Sequence, residues 1–207
     1  MLRLRPGRMV DAFEYPQTPH VRRHGPHGYT AYQSFRPWLR DEFCFRCVLC
    51  LHRELWPTTS EFEIDHLIPV SEHPDLECRY SNLLYVCRRC NNIKSDRRVP
   101  DPCSIAYGRC LRVNDDGSIV ALNEEGRTLI LTLRLDRPER IRQRRMVIEI
   151  LLDAEVNGNT PRLRDWLGFP EDLEDLSRLR PPGNERPKGI EESFFARRRR
   201  GELPEMH

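Results

Sequence analysis

Two cysteine pairs with one spacing constrain this chain more than any other feature. "CFRCVLC" spans 44–50 and "CRRC" spans 87–90. A C-x2-C turn presents two thiolates to one cation, and two such turns complete a tetrahedral zinc site. In the first cluster both Cys44/Cys47 and Cys47/Cys50 have the spacing. We favour Cys47 and Cys50, paired with Cys87 and Cys90, which leaves Cys44 as a small buried residue beside aromatics. Cys78, Cys103 and Cys110 are isolated and read as packed or free thiols. A four-thiolate site is closed: it staples a small fold and does no chemistry itself. Yet 36 residues separate Cys50 from Cys87, about twice what a bare zinc ribbon needs.

That insertion carries "FEIDHLIPV" (62–70) and "YSNLLYVC" (80–87). An ionised Asp in an otherwise apolar, strand-like run is costly to bury without a partner. Around the cysteine frame stand Asp65, His66, Asn82 and Asn91, the last directly after Cys90. A carboxylate and an amide oxygen are hard ligands, suited to Mg2+ or Mn2+ rather than to a thiolate-loving ion. An imidazole beside them takes a proton from water near neutral pH. Together they suit a one-metal phosphodiesterase site.

The order C-x2-C, Asp-His-h-h-Pro, Asn-Leu, C-x2-C-Asn-x2-Lys (h, apolar), over residues 47–96, resembles the HNH nucleases with their ββα-metal finger. The resemblance implies an α+β fold. A zinc-stapled ββα-metal finger would sit in a small, mostly helical domain with a β-hairpin annex. It implies that His66 is the general base, that Asp65 and Asn91 hold a catalytic divalent cation, Mg2+ or Mn2+, and that Asn82 pins the loop between the strands and orients His66. Cys47, Cys50, Cys87 and Cys90 become the structural zinc ligands. Asn91 stands where some members place a His. Neighbours on a regular strand point to opposite faces, so the strand is expected to bend or end at Asp65–His66. The activity implied is endonuclease hydrolysis of DNA, nicking or cutting both strands, in a restriction, anti-phage or mobile-element setting. Two alternatives stay open: a non-catalytic zinc-dependent nucleic-acid-binding module, and a nuclease subunit active only in a larger complex.

Charge adds a partner argument. Charged residues make up 32% of the chain but the net charge is only +2. Lys94 and Lys188 are the sole lysines among 34 basic residues, and the Arg fork suits phosphate. Arg88, Arg89, Lys94, Arg97 and Arg98 crowd the second knuckle with Asp96 the one acid among them. They read as the phosphate contacts of a DNA-binding face.

The rest divides into 1–28, a basic flexible arm; 29–100, the nuclease domain with its motif core at 44–98; 101–168, a hairpin and helix annex; and 169–207, a Pro-, Arg- and Glu-rich tail. In the annex, "RVNDDGSIVAL" reads as a hairpin turning at Asp116–Gly117. "RTLILTLRL" is ambiguous between strand and helix. Residues 137–158 read as a helix opened by Pro138 and closed by Gly158. Phe194 and Phe195 before the 197–200 Arg run suggest a docking segment for a protein partner. No apolar run of membrane-spanning length and no signal-peptide core occur, which points to the cytoplasm.

Overall fold

The computed structural model describes residues 12–56 and 61–207. Before residue 100 the elements are β1 (Pro26–His27), α1 (Arg36–Glu42), β2 (Phe62–His66), β3 (Leu83–Cys87) and α2 (Arg88–Lys94). Residues 100–167 hold β4 (Leu111–Val113), β5 (Ile119–Ala121), α3 (Glu124–Leu133), α4 (Pro138–Val156) and α5 (Thr160–Leu167). The last stretch adds β6 (Gly183–Asn184) and α6 (Phe194–Arg199). Two compact units result: residues 21–99 with 168–207, and residues 100–167 with the described residues up to His20. The class is α+β, as expected. No helix among the described residues is long and apolar enough to cross a membrane.

The first unit is built on an antiparallel β2–β3 pair in which Phe62 faces Cys87, Asp65 faces Leu84 and His66 faces Leu83. Strand β3 reads Leu-Leu-Tyr-Val-Cys and is buried along its whole length. Phe62 stacks on Tyr85 at 5.1 Å, a cross-strand diagonal pair of the kind that fixes register. Helix α1 follows a 3-10 turn at Tyr32–Phe35 and takes Pro37 in its first turn, where the missing N–H costs nothing. Its Trp38 and Leu39 are fully buried.

Helix α1 ends on two buried carboxylates, which burial obliges to find partners. Glu42 accepts from the backbone N–H of Arg23 (2.8 Å) and His24 (3.0 Å) and from the Tyr80 hydroxyl (3.0 Å). Asp41 accepts from His24 Nε2 (2.8 Å), Arg23 Nη2 (3.0 Å) and Phe194 N (2.8 Å). Arg22 stacks on Phe43 and Tyr80 and donates to the Leu83 carbonyl at 2.7 Å. Segments from both ends of the sequence thus close on α1 and on the turn that leads into β3.

The reading of 1–28 as a flexible arm is corrected for its described part. Ala12, Phe13 and Tyr15 are buried, and β1 pairs with β6; residues 1–11 lie outside the described residues. The 169–207 tail is corrected too. Phe194, Leu173 and Phe45 form a buried cluster with Cys44, Phe169 and Phe195 against it. The two phenylalanines read as a docking segment dock on their own chain.

In the second unit the β4–β5 hairpin turns where expected, with Gly117 N donating to Asn114 O (2.9 Å). Gly117 has φ +79, and a Cβ there would clash with Ile141 O of α4, so both conformation and space demand glycine. The ambiguous "RTLILTLRL" is mostly helix. Asn123 caps α3 by accepting from Gly126 N (2.9 Å), and Leu129 and Leu133, four residues apart, are fully buried.

If the C-terminal segment is a structural part of the first unit, Phe194→Ala lowers stability by about 3–5 kcal/mol. A shift in the urea midpoint at unchanged slope is the measurement; a solvated tail would give almost no shift.

Candidate active site

The Sγ atoms of Cys47, Cys50, Cys87 and Cys90 lie within 4.8 Å of one another. Cys87 ends β3 and Cys90 sits in the first turn of α2, so the cluster joins the β3–α2 corner to the 44–53 knuckle. The knuckle is tied down separately: Cys47 N donates to His52 O (2.8 Å) and Val48 N to Tyr85 O (3.1 Å). Burial, together with the neighbouring thiols, pushes the Cys47 thiol well up. Crowded buried sulfurs of this kind fit a tetrahedral zinc ion, which holds all four as thiolates. Cys44 is not in the cluster; it packs against Phe45, Leu173 and Phe194. That separates the two C-x2-C choices in favour of Cys47 and Cys50.

Alternation along β2 puts Glu63 and Asp65 on one face, and α2 lies against it. Asn91 Nδ2 donates to Glu63 Oε2 (2.7 Å). One turn later, Lys94 Nζ donates to Asp65 Oδ1 (3.1 Å) and to the His66 carbonyl (2.7 Å). Asp65 is 6% exposed and Lys94 0%. Burial raises the Asp65 carboxyl above its ordinary pKa, although Lys94 and, more weakly, His66 pull it down. Among the described residues Asp65 Oδ2 is buried with no hydrogen-bond partner. A carboxylate oxygen left so is the ligand a hard cation would take, and Asn91, with Nδ2 engaged by Glu63, has its amide oxygen as the second donor. The donor set fits a divalent ion.

Strand β2 ends at His66, as the side-by-side Asp and His require. His66 Nε2 lies 3.0 Å from the Glu77 carbonyl. A carbonyl only accepts, so Nε2 carries the proton and Nδ1 the lone pair. Asn82 is 5% exposed and holds the loop that presents Glu77. Its Oδ1 accepts from Ile68 N (2.8 Å), its Nδ2 donates to Ile68 O (3.0 Å), and its carbonyl accepts from Leu67 N (2.8 Å). Asn82 is therefore placed to hold the loop whose Glu77 carbonyl lies against His66.

The basic residues distribute unevenly. Lys94, expected on the nucleic-acid face, is corrected: it is fully buried on Asp65, because an unpaired carboxylate there would cost more than burying an ion pair. Arg88 pairs with Glu61 and Glu63, and Arg98 with Glu72. Against the desolvation of burial, Arg88 and Asn91 hold the Glu63 carboxyl below its ordinary range. Arg97 donates to the Lys94 and Ile93 carbonyls at the end of α2. Arg89 makes no ion pair among the described residues. Sequence reasoning missed Glu63 and the true role of Lys94. Their signals were present: Glu63 is two strand residues from Asp65, and Lys94 is three helix residues from Asn91.

Residues 44–97 match the family model described as HNH endonuclease. No curated protein matches the chain.

Two outcomes follow. Cys90→Ser abolishes the zinc retained per chain by elemental analysis. It also removes a contribution on the order of 10 kcal/mol to folding of the surrounding unit, so its cooperative unfolding transition disappears. Lys94→Met leaves Asp65 buried without its counter-charge and costs about 3 kcal/mol. Added Mg2+ then raises the melting temperature of the variant more than that of wild type, because the cation replaces the lost charge.

Proposed function

We propose that this chain, which carries an HNH endonuclease domain at residues 44–97, hydrolyses phosphodiester bonds of DNA with the help of a divalent cation. The observation that carries the reading is the buried, unpartnered Asp65 Oδ2 beside the β2–α2 face that presents Asn91. When bound at Asp65 and Asn91, the cation, Mg2+ or Mn2+, supplies electrostatic stabilisation of charge developing on the phosphate.

The chain's own residues do the rest. His66 Nδ1 removes a proton from the attacking water, while its Nε2–H stays on the Glu77 carbonyl. Water oxygen bonds to phosphorus as the bond to the 3′ oxygen breaks. The 3′ oxygen takes a proton from solvent, leaving 5′-phosphate and 3′-hydroxyl ends. Asn82 keeps the Glu77 carbonyl in register with the imidazole. Lys94 holds one oxygen of Asp65 and the His66 carbonyl, so the two residues keep a fixed relation. Arg89 is the phosphate contact best supported by its surroundings. Arg88, Arg97 and Arg98 already hold acidic or carbonyl partners and would have to leave them to reach DNA.

Supercoiled plasmid incubated with wild type and with His66→Ala, in EDTA, Mg2+ or Mn2+, tests this. Divalent-dependent nicking or linearisation that drops by about 10^2-fold or more in the variant, at equal zinc content, supports the assignment. Equal cutting by both proteins removes it. Cleavage of RNA alone by wild type moves the substrate class and keeps the site.

A further inference from the structure

His66 is held at one edge by Glu77 and on another side by a residue from outside the matched domain. The Tyr32 ring lies against the imidazole with centroids 5.0 Å apart and planes at 73°. Tyr32 opens the 3-10 turn Tyr32–Phe35, and in such a helix residues three apart eclipse. Tyr32 and Phe35 therefore share a face. Phe35 is fully buried, with Tyr29 edge-on at 5.0 Å and Tyr80 at 5.7 Å. Tyr80 is two residues before Asn82 and is bonded to Glu42. The turn that carries Tyr32 is thus anchored on the wall that carries the loop-pinning Asn82, and the Tyr32 ring meets His66 from that turn.

We propose that Tyr32 is a positioning residue for the general base: its ring fixes the plane of the His66 imidazole while Glu77 fixes the tautomer. This rests on the endonuclease reading of the site. One hydrogen bond through Nε2 leaves the imidazole free to swing about the bond axis. An edge-to-face aromatic contact removes that freedom, so the Nδ1 lone pair keeps one direction. A small error in that direction is costly in proton transfer. The ring, rather than the phenol hydroxyl, does this work.

The test pairs single-turnover cleavage kinetics with NMR of the full chain carrying zinc. Tyr32→Leu lowers the cleavage rate about 10- to 100-fold with KM within twofold of wild type, and Tyr32→Phe returns the rate to within about threefold. In a His66→Ala background Tyr32→Leu has no further effect, because the residue it positions is gone. The imidazole proton resonances of His66 show a ring-current shift in wild type and Tyr32→Phe that is lost in Tyr32→Leu. A raised KM at an intact rate would make Tyr32 a substrate contact and overturn the proposal, as would additivity with His66→Ala. Should Tyr32→Leu fail to hold zinc, cross-relaxation between the Tyr32 and His66 ring protons in wild type decides: its absence sinks the proposal without any variant. If His66→Ala cuts as well as wild type, the endonuclease assignment of His66 fails instead, and the NMR contact reports on the geometry alone.

Discussion

The four-cysteine cluster fixes where everything else in the first unit can be. It ties the end of β3 and the start of α2 to the knuckle at 44–53, so α2 leaves the sheet at a set angle. Register then does the alignment. Phe62 faces Cys87, and α2 begins at the next residue. Moving from Asn91 to Lys94 advances about 4.5 Å along a helix. Moving from Glu63 to Asp65 advances about 6.6 Å along a strand. The long Lys side chain absorbs the difference, so Asn91 meets Glu63 and Lys94 meets Asp65. Shifting the β2–β3 register by one residue would turn both carboxylates away from the helix. The placing of Glu63 and Asp65 against α2 therefore depends on the four-cysteine cluster at the other end of the same corner.

Support also comes from outside 44–97. Glu42 is fully buried and bonded to the 23–24 backbone and to Tyr80, while Asp41 holds His24, Arg23 and the N-terminus of α6. Networks of this kind are stable when satisfied and costly when one member is lost. The route from this network to the site is short: Tyr80 precedes Asn82, Asn82 holds the loop, and the loop offers Glu77 to His66. The matched domain is completed by residues that lie far from it in sequence.

What the sequence revealed was whatever rests on spacing. The four cysteines that cluster stand at fixed intervals within short elements, and the hairpin at Asp116–Gly117 needs only a local turn. What it hid depended on tertiary partners. Lys94 looked like a surface cation because a helix end is usually solvated; the Asp65 charge across the β2–α2 interface pulled it inside. The C-terminal stretch looked like a tail because Pro, Arg and Glu dominate it; the few apolar residues Phe169, Leu173 and Phe194 were enough to seat it once Phe45 offered a partner. "RTLILTLRL" had no decisive periodicity, and the Asn123 cap settled it.

The arginine excess changes meaning once the partners of the side chains are known. Arginine-rich chains suit phosphate, yet here many guanidiniums serve backbone carbonyls. Arg22 takes Leu83, Arg36 takes Phe62, Arg40 takes Asp172, Arg144 takes Gly117 and Leu135, and Arg198 takes Pro170 and Glu171. Long irregular stretches leave many carbonyls outside regular ladders, and buried ones need donors. A planar group with five N–H donors satisfies two carbonyls at once, which the single ammonium of lysine does less well. Part of the excess is thus spent on backbone carbonyls, at strand ends and in irregular stretches alike. Affinity for a polyanion scales with the number of phosphates neutralised. A net charge of +2 adds little long-range attraction of its own for a polyanion.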